Sequence, residues 1–185
     1  MKNELHKRLF FAIPISNEIK NTCIEAQEGL PVDNKVKLVK PHNFHFTVLY
    51  LGNVLTEKIP ELIEKAEKTI ASSPTFTLEP EGVFLAPSKK PKMVWVKCPR
   101  NSIFSGLYKA LKDELKDYFQ TNEDRDPIPH ITLARFKSGL EALPPPSPEF
   151  NVLEVKHIEL WESKTLPTGA EYSSLHRFSL SSLKI

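Results

Sequence analysis

The chain has 185 residues, enough for one compact domain or two small lobes around a shared cleft. Apolar residues make up 40% and charged residues 26%, a globular balance that excludes a disordered or bilayer-embedded chain. A net charge of +2 suits a small anionic ligand but excludes a surface that coats nucleic acid by charge alone.

Arg8–Ile15 is a run of strand-forming apolar residues and reads as a buried strand. It is too short to span a bilayer and is broken by Pro14. No targeting segment precedes it, so the cytoplasm is the expected location. Ser16 or Asn17 can cap a helix in which Ile19, Cys23, Ala26 and Leu30 recur at helical spacing, with Gly29 at its end. Lys35–Lys40 is a short strand leading to Pro41. Phe44–Leu51 follows as a strand, closed by Gly52-Asn53. Thr56–Ala71 carries Ile59, Leu62, Ile63, Ala66 and Ile70 on one helical face, with Pro60 in the first turn where its missing N–H does least harm.

Thr75–Leu78, Gly82–Leu85 and Met93–Lys97 alternate as strands. The Pro87–Lys92 link is basic and bounded by prolines, either a solvated hairpin loop or a phosphate-contacting rim. Asn101–Phe119 holds Ile103, Phe104, Leu107, Leu111, Leu115 and Tyr118 at helical spacing. Thr121–Asp126 is polar, and Pro127 and Pro129 bracket the entry to a strand over His130–Phe136. Ser138–Glu149 is proline-rich and reads as irregular. Val152–Trp161 and Leu175–Leu180 read as strands, with a turn formed by Thr168-Gly169 and the residues before Tyr172. Interspersed helices with many strand–strand neighbours favour an α+β fold, two antiparallel sheets with helices packed outside.

Two stretches repeat one pattern: His45-Phe46-Thr47-Val48 and His130-Ile131-Thr132-Leu133. In a strand, residues two apart share a face. Each histidine therefore shares a face with its threonine, while Phe46, Val48, Ile131 and Leu133 point into the core. Two imidazoles in one cleft can divide the proton work of a displacement at phosphorus, one accepting from water and one donating to the leaving oxygen. The hydroxyls can hold non-bridging phosphate oxygens. Neither histidine has Asp, Glu or Cys at ligand spacing, so a metal site is not signalled. Cys23 and Cys98 lack Cys-x-x-Cys spacing and read as reduced thiols. His6, His42, His157 and His176 lack the His-x-Thr setting and read as structural or surface residues. Glycine-rich phosphate loops are absent.

The paired motifs resemble those of the 2H phosphoesterases. Pro129-His-Ile-Thr-Leu-Ala-Arg135 is similar to the RNA 2′,3′-cyclic phosphodiesterase branch, also called the 2′-5′ RNA ligase family. So are Arg8-Leu-Phe-Phe-Ala-Ile13, Phe44-His-Phe-Thr with Leu51-Gly52, and Leu160-Trp-Glu-Ser with Gly169-Ala-Glu-Tyr172. The resemblance implies one 2H phosphoesterase domain over residues 1–185, two lobes related by a pseudo-two-fold around a central cleft. It implies metal- and cofactor-free opening of a 2′,3′-cyclic phosphate to a 2′-phosphate, with His45 as proton donor and His130 as proton acceptor. Thr47 and Thr132 would hold phosphate oxygens, and Arg135 would contact phosphate. The reverse reaction would join a 5′-hydroxyl end in a 2′-5′ bond. The implied partners are RNA ends or nucleotides carrying the cyclic phosphate, tRNA halves among them, with no membrane and a monomeric chain.

Strict alternation sets Arg135 on the face opposite His130, so the strand must end or bulge near Ala134, or the side chain must curl round the sheet edge. Tyr50 holds the equivalent place in the first copy, to stack on a base or to pack. The near-symmetric motifs do not themselves separate acid from base. A 2H enzyme acting on 2′-5′ oligonucleotides or small cyclic nucleotides, and a non-catalytic module binding nucleotides or RNA ends, remain as alternatives.

Overall fold

The computed structural model describes residues 5–30, 36–119, 127–136, 147–167 and 169–182. Lys35, the polar stretch Thr121–Asp126, most of the proline-rich stretch (138–146) and Thr168 lie outside the described residues. The strands are β1 (His6–Pro14), β2 (Val36–Leu38), β3 (His45–Leu55), β4 (Phe76–Leu78), β5 (Gly82–Ala86), β6 (Met93–Lys97), β7 (His130–Phe136), β8 (Leu153–Val155), β9 (His157–Leu166) and β10 (Gly169–Ser179). The helices are α1 (Asn17–Glu28), α2 (Ile59–Ala71) and α3 (Ser102–Glu114).

The fold is α+β, with two four-stranded sheets in the orders β10-β9-β1-β3 and β2-β7-β6-β5, and a small β4-β8 pair. Every pairing in them is antiparallel. One His-x-Thr strand lies in each large sheet, and β3 and β7 touch where the sheets meet. Among the described residues no helix is long and apolar enough to cross a membrane.

The helices start where the sequence places them. The Ser16 hydroxyl accepts from Ile19 N–H and the Asn101 side chain from Phe104 N–H. Leu62, Ala66 and Ile70 of α2 join Phe104, Leu107 and Leu111 of α3 in the core. Leu9, Phe11 and Ile13 of β1 are buried in that same core, whereas Phe10 and Ala12 face the other side with Trp161. A continuous apolar run thus covers both faces of one central strand.

Three elements differ from the sequence reading. Gly52-Asn53 does not close β3, which runs on to Leu55. Gly52, at φ 76, absorbs a bulge in mid-strand: Leu9 faces Gly52 and Phe10 faces Tyr50, leaving Leu51 as the extra residue. The expected turn before Tyr172 is also strand. Gly169 pairs with Leu166 and Tyr172 with Ser163, so β9 and β10 form a long ribbon. Its outer half is polar and exposed, and backbone pairing without a buried face leaves no alternation to detect. Finally, Val152–Trp161 divides at Lys156: β8 pairs with β4, and β9 joins the first sheet.

Gly52→Ala forces a Cβ into the left-handed region, although the space around it is open, with Tyr50 Cε1 3.8 Å away. The expected loss is about 1–2 kcal/mol, measured by urea unfolding. An unchanged midpoint would show that β3 does not depend on this glycine.

Candidate active site

The two His-x-Thr strands carry the same irregularity. In β3, Phe11 faces Leu49 and Ala12 faces Thr47, so Val48 is the extra residue. In β7, Val94 faces Ala134 and Trp95 faces Thr132, so Leu133 is the extra residue. Val48 with Leu49, and Leu133 with Ala134, are consecutive buried pairs, and alternation resumes one step out of phase. Tyr50 and Arg135 therefore return to the cleft face. The bulge at Leu133, beside Ala134, resolves the alternation problem that the sequence posed for Arg135.

His45, Thr47, Tyr50, His130, Thr132 and Arg135 all line one cavity of about 370 Å³. The structure thus brings every sequence-predicted site residue together. His6, His42, His157 and His176 do not line it. His176 instead reaches Glu67 of α2 at 3.1 Å. The Pro87–Lys92 hairpin also stays out of the cavity lining, and Lys89, Lys90 and Lys92 are exposed to solvent.

The imidazoles are held alike. His45 Nδ1–H donates to the carbonyl of Asn43 at 2.7 Å, and His130 Nδ1–H donates to that of Ile128 at 2.8 Å. Each bond runs to the residue two before, and each leaves Nε2 as the second nitrogen of the ring. In the neutral ring His45 Nε2 accepts from the Thr47 hydroxyl at 3.0 Å. Asn43 is itself anchored, its side-chain amide donating to the Ala170 carbonyl at 2.7 Å.

The surroundings break the symmetry. His130 stacks flat on Trp95, with centroids 3.7 Å apart and planes at 22°. His45 is boxed by Phe10 at 5.0 Å, Trp161 at 5.1 Å and Tyr172 edge-on at 5.4 Å. Trp161 is fixed in turn, its indole N–H donating to buried Glu159 at 2.7 Å, while Arg177 clamps the same carboxylate at 2.9 Å. In the same cavity lining the Arg8 guanidinium lies 5.3 Å from the centroid of the Tyr50 ring and donates to its hydroxyl.

Sequence reading missed the roles of Arg8, Phe10, Asn43, Trp95, Trp161 and Tyr172. For Trp95 a signal was present: Val94 and Val96 alternate with it and are buried, which turns the indole to the polar side. For Phe10 the unbroken apolar run hid which residues face the cleft.

Burial pushes the His45 pKa from 6.5 down to about 4, and the His130 and Arg135 charges add to that, against the Asn43 hydrogen bond. Burial also lowers His130, with Arg135 adding to it and the Ile128 bond opposing. Both rings are therefore poorly charged without an anion, His45 above all. A phosphate between them would reverse the balance by supplying negative charge.

Stability acquires a pH dependence of definite sign. The unfolded chain binds a proton at His45 near pH 6.5 and the folded chain only near pH 4. Stability should be complete above pH 6.5 and fall as pH drops towards 4. Inorganic phosphate should flatten that fall, and His45→Asn should remove part of it. Thermal unfolding across this range checks both, and parallel curves for wild type and variant would contradict the burial argument.

Residues 13–96 match the family model described as LigT like Phosphoesterase. The chain is 28% identical over 181 residues to the RNA 2′,3′-cyclic phosphodiesterase of Thermus thermophilus, covering 94% of this chain and 90% of that one. It is 29% identical over 177 residues to the RNA 2′,3′-cyclic phosphodiesterase of Escherichia coli, covering 94% and 97%. Among solved structures, TT0787 of Thermus thermophilus superposes with a TM-score of 0.83 at 26% identity, covering 95% of this chain and 99% of that one. Apo LigT of Escherichia coli superposes at 0.80 with 27% identity, covering 96% and 99%.

Proposed function

We propose that the chain is a LigT-like phosphoesterase that hydrolyses a 2′,3′-cyclic phosphate at an RNA end to a 2′-phosphate by acid–base catalysis between His45 and His130. The observation that carries this reading is the pair of imidazoles, each with Nδ1 tied to the carbonyl two residues back, lining one cavity with both threonines and Arg135. The curated relatives named as RNA 2′,3′-cyclic phosphodiesterases support the substrate class.

In the proposed step, His130 Nε2 takes a proton from water as the water oxygen bonds to phosphorus. The bond from phosphorus to the 3′ oxygen breaks, and His45 Nε2–H gives that oxygen its proton. The product carries a 2′-phosphate and a 3′-hydroxyl. Thr47 and Thr132 donate to the non-bridging oxygens, and Arg135 offsets the charge that develops there. With a 5′-hydroxyl in place of water, the same step bonds the 5′ oxygen to phosphorus, breaks the bond to the 3′ oxygen and so forms a 2′-5′ bond.

The acid and base roles follow the family resemblance. Without an anion the cleft keeps His45 nearly always neutral at pH 7, so the acid acquires its proton together with the anionic substrate. When it does, Thr47 no longer needs to donate to Nε2 and is released to the phosphate. The bell-shaped profile of kcat, which reports the complex, should therefore sit at higher pH than that of kcat/KM, which reports the free enzyme. Superimposed or monotonic profiles would contradict proton uptake with the substrate.

His45→Ala and His130→Ala should each lower kcat by about 10²–10⁴-fold, with hydrolysis read by phosphorus NMR of the product phosphate. Wild-type activity should survive excess EDTA. Full activity in either variant, or loss in EDTA that zinc or magnesium restores, would overturn this mechanism.

A further inference from the structure

A second cavity, of about 310 Å³, adjoins the catalytic one. The two share a wall that includes Asn43, Arg135 and Tyr172, and the second adds Lys37, Lys40 and Gly169. Two of these cations, Lys37 and Arg135, have no carboxylate partner among the described residues. In the β2–β7 pairing Lys37 stands directly opposite Arg135, so both point to the same side of the sheet. Like charges directly opposite on neighbouring strands repel and destabilise the pair.

A carboxylate would remove that penalty, and among the described residues neither Lys37 nor Arg135 has one in an ion pair. The contact of Arg135 is the Met93 sulfur at 3.4 Å. Lys37 Nζ lies 3.4 Å from the position a Cβ on residue 169 would take, which keeps it in a gap that a glycine leaves open. By contrast Lys40, on the same rim, is paired with Glu171 at 3.8 Å. An uncompensated cation pair facing two joined cavities is suited to anions that come with the ligand.

Arg135 serves the cyclic phosphate in the first cavity, and Lys37 is the next cation outward. A polynucleotide is a ligand that carries a second anion at a fixed step from the first. When its 3′ end is the cyclic phosphate, the terminal nucleotide joins the rest of the chain only through its 5′ oxygen. We propose that the second cavity binds the phosphodiester and nucleoside immediately 5′ of the cyclic-phosphate nucleotide, with Lys37 on the phosphodiester, so that the enzyme acts on oligonucleotides in preference to mononucleotides. Half-exposed Leu38 and the Tyr172 ring give this subsite apolar surface for a sugar or base. The inference rests on the reading of the catalytic cavity given above.

The test compares adenosine 2′,3′-cyclic phosphate with the ApA dinucleotide ending in the same cyclic phosphate. Wild type should prefer the dinucleotide in kcat/KM by about tenfold, the size of one charge-assisted hydrogen bond. Lys37→Ala and Lys37→Gln should abolish the preference while leaving the mononucleotide rate within about twofold. Neither variant should unfold at a lower temperature than wild type, since each removes a repulsion. Binding of the two 2′-phosphate products, followed calorimetrically, gives a readout that needs no turnover. For the dinucleotide alone, Lys37→Ala should weaken the dependence of log K on log salt, because one phosphate contact is lost.

Turnover of both substrates by wild type at equal kcat/KM, or a dinucleotide preference and salt slope unchanged in Lys37→Ala, would overturn the subsite. Tighter, Lys37-dependent binding of the dinucleotide product without turnover of either substrate would uphold the subsite and instead defeat the catalytic reading.

Discussion

The cleft depends on one extra residue in each of two strands. A regular strand shows a given face every second residue, so a histidine and the side chain five positions on point opposite ways. Val48 and Leu133 break that rule at the same place, directly after the threonine. The bulge leaves the apolar side filled by two consecutive core residues and turns Tyr50 and Arg135 back to the cleft. Without it, each motif would offer a histidine and a threonine but nothing further along the strand. The second bulge of β3, at Leu51, continues this bending where the strand runs on beside Arg8.

The same cleft is electrostatically unfinished. Two imidazoles are buried enough to resist protonation, and the nearby guanidinium makes protonation harder still. Arg135 also faces Lys37 across the β2–β7 pairing. Each feature is unfavourable in the protein alone, and each is relieved by negative charge in the cleft. The fold tolerates them because the carbonyls of Asn43 and Ile128, the indole under His130 and the aromatic box around His45 hold the rings in place. Preorganisation of this kind would spare the site from rearranging when an anion enters.

Much of this was legible in the residues. The His-x-Thr repeat pointed to both histidines and both threonines, while Arg135 came from the family resemblance of the second copy and Tyr50 from its matching place in the first. Helical spacing and the caps Ser16 and Asn101 placed α1 and α3. What escaped had physical reasons. The outer β9–β10 ribbon has no buried face, so its polar residues read as a turn. Gly52 reads as a stop because a positive φ serves a turn and a bulge equally well. The rings packed against the two histidines are Phe10, Trp95, Trp161 and Tyr172, aromatic residues that sequence alone assigns to a core. Their position was set by which side of each sheet the cleft opens on, a property of the packed sheets rather than of any local pattern. Lys37 was invisible for the same reason, since its meaning lies in the residue across from it.

The central claim is that both imidazoles act on one anion, and nitrogen-15 NMR of the histidine rings tests it most directly. Without ligand at neutral pH, His45 and His130 should both be neutral with the proton on Nδ1, as their carbonyl bonds require. Titration with inorganic phosphate should move both sets of ring nitrogens together, with one ring shifting to imidazolium. A proton on Nε2 in either free ring, or a phosphate response confined to one histidine, would contradict the account.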